Sequence, residues 1–131
     1  MSISGQFYYR EPDVSQERKR RERLGRRAEF LAANYLRLKG YRVLEKRFKT
    51  RQGEIDLIAL HKNLLVMVEV KAREDLLSAR ESITYNSQQR IKKAAHQFID
   101  RKSIYRQMGV RFDALFLIGR RRIVHEPDFF R

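Results

Sequence analysis

The sequence predicts one α/β domain, a mixed β-sheet with helices on its faces in the order αβββαββ. Three observations carry this. Residues 24–36 and 88–99 repeat apolar side chains with a helical period. Residues 41–48, 53–71 and 110–125 hold short β-rich runs broken by turn residues. The chain has 131 residues, the size of a single domain that buries about two-thirds of its unfolded surface. Residues 1–23 read as a basic, mobile N-terminal extension, and residues 24–131 as the domain.

Within the extension, Phe7, Tyr8 and Tyr9 form a small aromatic cluster that can dock on the domain or stack on bases. From Asp13 or Ser15, either a suitable N-cap, the chain turns helical. Leu24, Ala28, Leu31, Ala32, Tyr35 and Leu36 form the apolar stripe of the first helix, and Gly40 stops it. Tyr41 to Phe48 is a first strand. Residues 72–86 show no clear period and read as a loop. The second long helix begins near Asn86 or Ser87, with Ile91, Ala94, Ala95, Phe98 and Ile99 as its stripe. A short helical turn at Ser103–Gln107 precedes an apolar strand, Val110 to Ile118, and an edge strand, Arg121 to His125. Arg120, Arg121 and Arg122 discourage edge-to-edge pairing there.

The stretch from Gly53 to Lys71, GEIDLIALHKNLLVMVEVK, reads as two strands joined at His61-Lys62-Asn63. Side chains alternate faces along a strand. Glu54 and Asp56 therefore share one face, as do Glu69 and Lys71, while Val66, Val68 and Val70 turn to the core. If the strands pair with residue numbers summing to 125, Asp56 lies across from Glu69 and Glu54 across from Lys71. Two opposed carboxylates repel at roughly 0.2–1 kcal/mol. A hard divalent cation, Mg²⁺ or Mn²⁺, removes the repulsion, because it binds carboxylate oxygens and water. The alternative is a solvated, salt-bridged face.

The order Asp56, spacer, Glu69-x-Lys71 resembles the motif of the PD-(D/E)xK nucleases. Longer strings sharpen the likeness: AEFLAANYL at 28–36, GY at 40–41, GEIDLIA at 53–59, VEVKAR at 68–73, QQRIKKAA at 88–95 and RFDALFL at 111–117. Together they resemble the bacterial YraN-like family, small proteins assigned to that superfamily, over roughly residues 24–126. The resemblance implies a restriction-endonuclease-like core and a divalent-metal-dependent nuclease, with a preference for structured or branched DNA. It implies Asp56, Glu69, Glu29 and the Val70 carbonyl as metal ligands, with Lys71 positioning the attacking water. Gln88, with Lys92 one turn on, is placed to orient that water or meet substrate. From the residues alone, Glu29 can equally pair with Arg26 or Arg27, and Gln88 can be a plain helix-start residue. The family carries an Asn near Arg47, where this chain departs from it. His125 matches a family position and reads as structural.

Thirty Lys and Arg against sixteen Asp and Glu leave a net charge of +14. Such an excess predicts a polyanion partner, nucleic acid before membrane, and the family resemblance favours DNA. Arg18, Lys19, Arg20, Arg21, Arg23, Arg26 and Arg27 form the candidate backbone-binding arm; Arg73 and Arg80 flank the proposed site closely enough to meet phosphate, and Arg90 and Lys92 add charge on the outer face of the second long helix. No cysteine is present, which excludes disulfides, thiol catalysis and thiolate-held metals. The three scattered histidines show no zinc spacing. With no apolar span and no signal-peptide pattern, a cytoplasmic protein is expected, and a homodimer is compatible with the sequence. The rival reading is a DNA- or RNA-binding protein that keeps the nuclease fold without catalysis.

Overall fold

A computed structural model of the chain describes residues 13–131; the Phe7-Tyr8-Tyr9 cluster lies outside them. Helix α1 spans Val14–Leu38. The Asp13 carboxylate caps it by accepting from the Ser15 and Gln16 N–H groups at 3.1 and 3.4 Å. At its far end Gly40 takes a φ of +91°. The Gly40 N–H then reaches the Arg37 carbonyl and the Tyr41 N–H the Leu36 carbonyl, which satisfies two orphan acceptors. The helix runs unbroken through residues 23 and 24, so the expected boundary there is no break: residues 14–23 are its exposed first turns. Ala28, Ala32, Ala33 and Leu36 are buried, whereas Leu24 and Leu31, on the same apolar stripe, remain 55% and 43% exposed.

Five strands follow: β1 Arg42–Lys49, β2 Glu54–His61, β3 Leu64–Arg73, β4 Gly109–Ile118 and β5 Arg122–Phe130. They lie in that spatial order in one sheet. All neighbours are antiparallel except β3 and β4, which are parallel. A parallel pair needs a crossover, supplied by α2 (Leu76–Glu81), α3 (Tyr85–Ile99) and α4 (Ser103–Arg106). The fold is thus the expected mixed sheet between helices. Helix α2 occupies a segment expected to be loop. Its signals are local: Asp75 accepts from the Ser78 N–H at 2.8 Å, and Ala79 and Ile83 are buried beside it. Thr84 caps α3 a little earlier than expected. Strand β5 runs past His125 to Phe130, and its register shifts near Pro127, which lacks the N–H a regular ladder needs.

Helix α1 covers one face of the sheet, packing on Leu57, Ala59, Val66, Val68, Val70 and Leu115. The crossover helices cover the other, over Ile58, Leu65, Met67, Ala114 and Phe116. Each fully buried Leu or Phe contributes roughly 1.5–3 kcal/mol. One polar cluster ties the α1 end to β4 and β5. Asp113, wholly buried, accepts two bonds from Arg111 at 2.7 and 2.8 Å and one from the Asp128 N–H at 3.0 Å. Lys39 lies 2.7 Å from His125 Nδ1, and an ammonium can only donate, so Nε2 carries the ring proton toward Asp113 at 2.8 Å. Burial pushes the Asp113 carboxyl up, but the bonds from His125, Arg111 and Asp128 outweigh it and hold the group below its ordinary value. His125 therefore serves structure. No helix among the described residues is long and apolar enough to cross a membrane.

Candidate active site

The β2–β3 hairpin has the register that sums to 125: Leu57 faces Val68 and Ile58 faces Met67. Beyond Leu57 the regular ladder stops. The Asp56 carboxylate takes over as acceptor, receiving the Val70 N–H at 2.8 Å. Ile55 and Ile58 pack in the same cluster although strict alternation would part them, so β2 twists at Asp56. On the other side of Asp56, β1 brings Arg47 opposite, between the pairs Lys46–Leu57 and Phe48–Ile55. Arg47 has a φ of +53°, a left-handed conformation that asparagine adopts more readily than arginine.

The fork opens a cleft of about 250 Å³ lined by Glu54, Asp56, Glu69, Lys71, Ser87, Arg90 and Ile91. Three of the four expected catalytic side chains, Asp56, Glu69 and Lys71, therefore meet. Gln88 does not line the cleft. Helix α3 instead presents Ser87, Arg90 and Ile91, which share one face, and a shift of one residue rotates a side chain by about 100°. Lys92 is likewise turned away, its ammonium donating to the Arg131 carbonyl. Burial, first, and the adjacent Asp56 carboxylate, second, push the Glu69 carboxyl well above the ordinary carboxylate range, while Lys71 pulls it partly back. A proton on Glu69 satisfies this pair when no cation does.

Glu29 approaches from α1. Its carboxylate accepts from Arg47 Nε at 2.6 Å rather than from Arg26 or Arg27. Burial raises its pKa, the Arg47 bond opposes the rise, and the Asp56 and Glu54 charges add to it. Among the described residues, no three Asp, Glu or His side chains converge closely enough to hold one ion by themselves. In chemical kind the donors do fit a hard cation: two carboxylates from neighbouring strands carry more negative charge than their surroundings favour. Sequence reasoning missed Ser87 and the Arg47–Glu29 pair. It also missed the role of Gly53. A Cβ there would lie 2.0 Å from the Arg90 carbonyl oxygen, so only glycine lets the β1–β2 turn seat against α3.

The pattern of the uncharacterised protein family UPF0102 matches residues 28–117. The chain belongs to that family. It is similar to the UPF0102 protein Atu0303 of Agrobacterium fabrum, 42% identical over 99% of this chain and 100% of that one. It is also similar to UPF0102 proteins of Chelativorans sp. (45% identical; 86% of this chain, 91% of that one) and of Mesorhizobium japonicum (mlr4633, 45%; 88% and 93%). The UPF0102 match contains every cleft residue named above, together with Glu29 and Arg47. It leaves out the basic first turns of α1. There Arg18, Lys19, Arg20, Arg21, Arg23, Arg26 and Arg27 are all exposed, with Arg21 3.6 Å from Glu17. Arg73, at the end of β3, donates to the Ala72 carbonyl at 2.7 Å. Arg80 lies against Glu126 at 3.5 Å, outside the cleft.

Proposed function

We propose that this UPF0102 chain is a nuclease that hydrolyses phosphodiester bonds of DNA with a divalent metal, Mg²⁺ or Mn²⁺. The observation that carries the reading is the Asp56–Glu69 pair at the β2–β3 fork, with Lys71 on the same wall and Arg90 on the opposite one. When bound, Mg²⁺ or Mn²⁺ supplies Lewis acidity toward a phosphoryl oxygen and lowers the pKa of an attacking water. Asp56 and Glu69 are the side chains that would hold it, beside the Val70 carbonyl, with Glu29 joining if Arg47 releases it. Glu69 gives up its proton to take that role. Lys71 orients the water and offsets charge building on the phosphate oxygens. Arg90 and Ser87 hold non-bridging oxygens across the cleft, the guanidinium as a two-pronged donor. The dispersed arginines of α1 grip the backbone without reading sequence.

A second reading, nucleic-acid binding without catalysis, is favoured by the commitment of Glu29 to Arg47. Cleavage assays separate the two. Linear, single-stranded and branched DNA, and RNA, are incubated with Mn²⁺, and binding is measured in EDTA. Wild type should cleave at least one DNA substrate. Asp56→Asn should abolish cleavage, and Lys71→Ala should lower it by roughly 10²–10³, both with nearly unchanged binding. Wild type that binds every substrate and cuts none makes the second reading the correct one.

A further inference from the structure

On the sheet face away from the cleft lies a larger groove, about 660 Å³, between α1 and the β4–β5 turn. Its floor is aliphatic, built from Leu24 and Leu31 of α1 with Leu117 and Ile123 of β4 and β5. Ala28 and Ala72 keep the floor low, which leaves Leu24 and Leu31 exposed on the sheet-facing side of their helix. The rim is Arg27, Arg120, Arg121 and Arg122, and among the described residues no acidic side chain lines the groove. Among the described residues none of these four arginines makes a salt bridge. The turn is anchored, since the Gly119 N–H donates to the Arg73 carbonyl at 2.9 Å.

We propose that this groove docks an acidic segment of another protein, one that carries aliphatic anchor residues between its carboxylates. Charge complementarity fixes the sign of the partner: four unpaired guanidinium groups call for anions, and their planar forks match carboxylates two bonds at a time. The floor fixes its class. A nucleic-acid backbone gains nothing from four aliphatic side chains, and among the described residues no aromatic ring lines the groove for bases to stack on. A peptide satisfies both, setting leucine-like side chains on the floor and carboxylates on the rim. Burying such anchors and desolvating the ion pairs around them is the usual anatomy of a binding hot spot. Lys71 lines the cleft and Ala72 the groove, so the groove sits back to back with the cleft. It does not depend on the function proposed for that site.

The test uses the full chain and short labelled peptides read by fluorescence anisotropy at physiological salt. A peptide of alternating glutamate and leucine should bind at least about tenfold more tightly than one of glutamate alone. Leu31→Ser and Arg121→Glu should each weaken it about tenfold while the melting curve stays unchanged, both side chains being exposed. Equal binding of the all-glutamate peptide, or its leucine counterpart displaced by oligonucleotide, would overturn the proposal in favour of a phosphate surface. A tenfold gain on deleting residues 1–12 would overturn it in favour of the chain's own N-terminal segment. A dimer in sedimentation that Leu31→Ser dissociates would assign the groove to a second copy and overturn it equally.

Discussion

Glu69 lies where two requirements conflict. Its place beside Asp56 is just past the last β2–β3 ladder pair, Leu57–Val68, and its burial comes where α3 packs over that end of the sheet. Together they make the ionised form unfavourable, so the folded chain keeps a proton that the unfolded chain releases near 4.5. Because the folded state binds more protons, stability should fall as pH rises above 4.5 toward the raised value. Glu69→Gln removes that dependence. In EDTA the variant should melt close to wild type near pH 4.5 and higher at pH 8, by on the order of 1 kcal/mol, about 3–6 °C for a chain of this size. Thermal melts across that range decide it, and a variant that tracks wild type at every pH would show the pair is not strained. The opposition of Asp56 and Glu69 was legible only on condition that the hairpin register sums to 125, since alternation alone gives the faces and not the pairing. The Arg47–Glu29 pair was not, because it depends on a left-handed residue in a strand and a helix packed from the far side. Neither leaves a period in the sequence.

At the scale of elements, the cleft exists because a hairpin and a helix are held at a fixed separation. Gly53 sets it. The Thr50 hydroxyl accepts from the Gly53 N–H at 3.0 Å, closing the β1–β2 turn, and the turn then lies directly on the Arg90 backbone. Gly53→Ala inserts a methyl group against backbone that has no flexible side chain to yield. The expected loss is about 1–3 kcal/mol in urea denaturation, with weaker phosphate-dependent binding because Arg90 is displaced. A variant within about 0.5 kcal/mol of wild type would mean the turn and α3 are not in close contact. The long elements were readable because each carries an unambiguous period: α1 and α3 by their stripes, the hairpin by its alternation. Helix α2 was not, since six residues are too few to display a period, and its Asp75 cap resembles any loop aspartate. Leu24 and Leu31 sit on the predicted stripe and yet outside the core for a related reason. A stripe reports which face of a helix is apolar, not how far the sheet beneath it extends.

For the whole molecule, the distribution of charge matters more than its sum. Three carboxylates, Glu54, Asp56 and Glu69, meet in the cleft, while seven basic residues between Arg18 and Arg27 ride on exposed turns of α1 that contribute nothing to the core until Ala28. These exposed helical turns present their charges at helical spacing, and an exposed charge that neutralises a phosphate releases condensed counterions. Binding to duplex DNA should therefore weaken steeply with salt, each phosphate contact adding about 0.9 to the slope of log affinity against log salt. Only part of the helix surface can meet one duplex at a time. Replacing Arg18, Lys19, Arg20, Arg21 and Arg23 with glutamine, a residue of similar helix propensity, should lower the slope by about 2–3. Circular dichroism should show the helix retained, so that the change reports charge and not unfolding. Affinity at low salt should fall without vanishing, since Arg26, Arg27, Arg73 and Arg90 remain. Cleavage per bound complex should be unaffected, because none of the five replaced residues lines the cleft. A slope unchanged by the five substitutions would move the DNA-binding surface off α1, leaving the domain's own arginines to supply it.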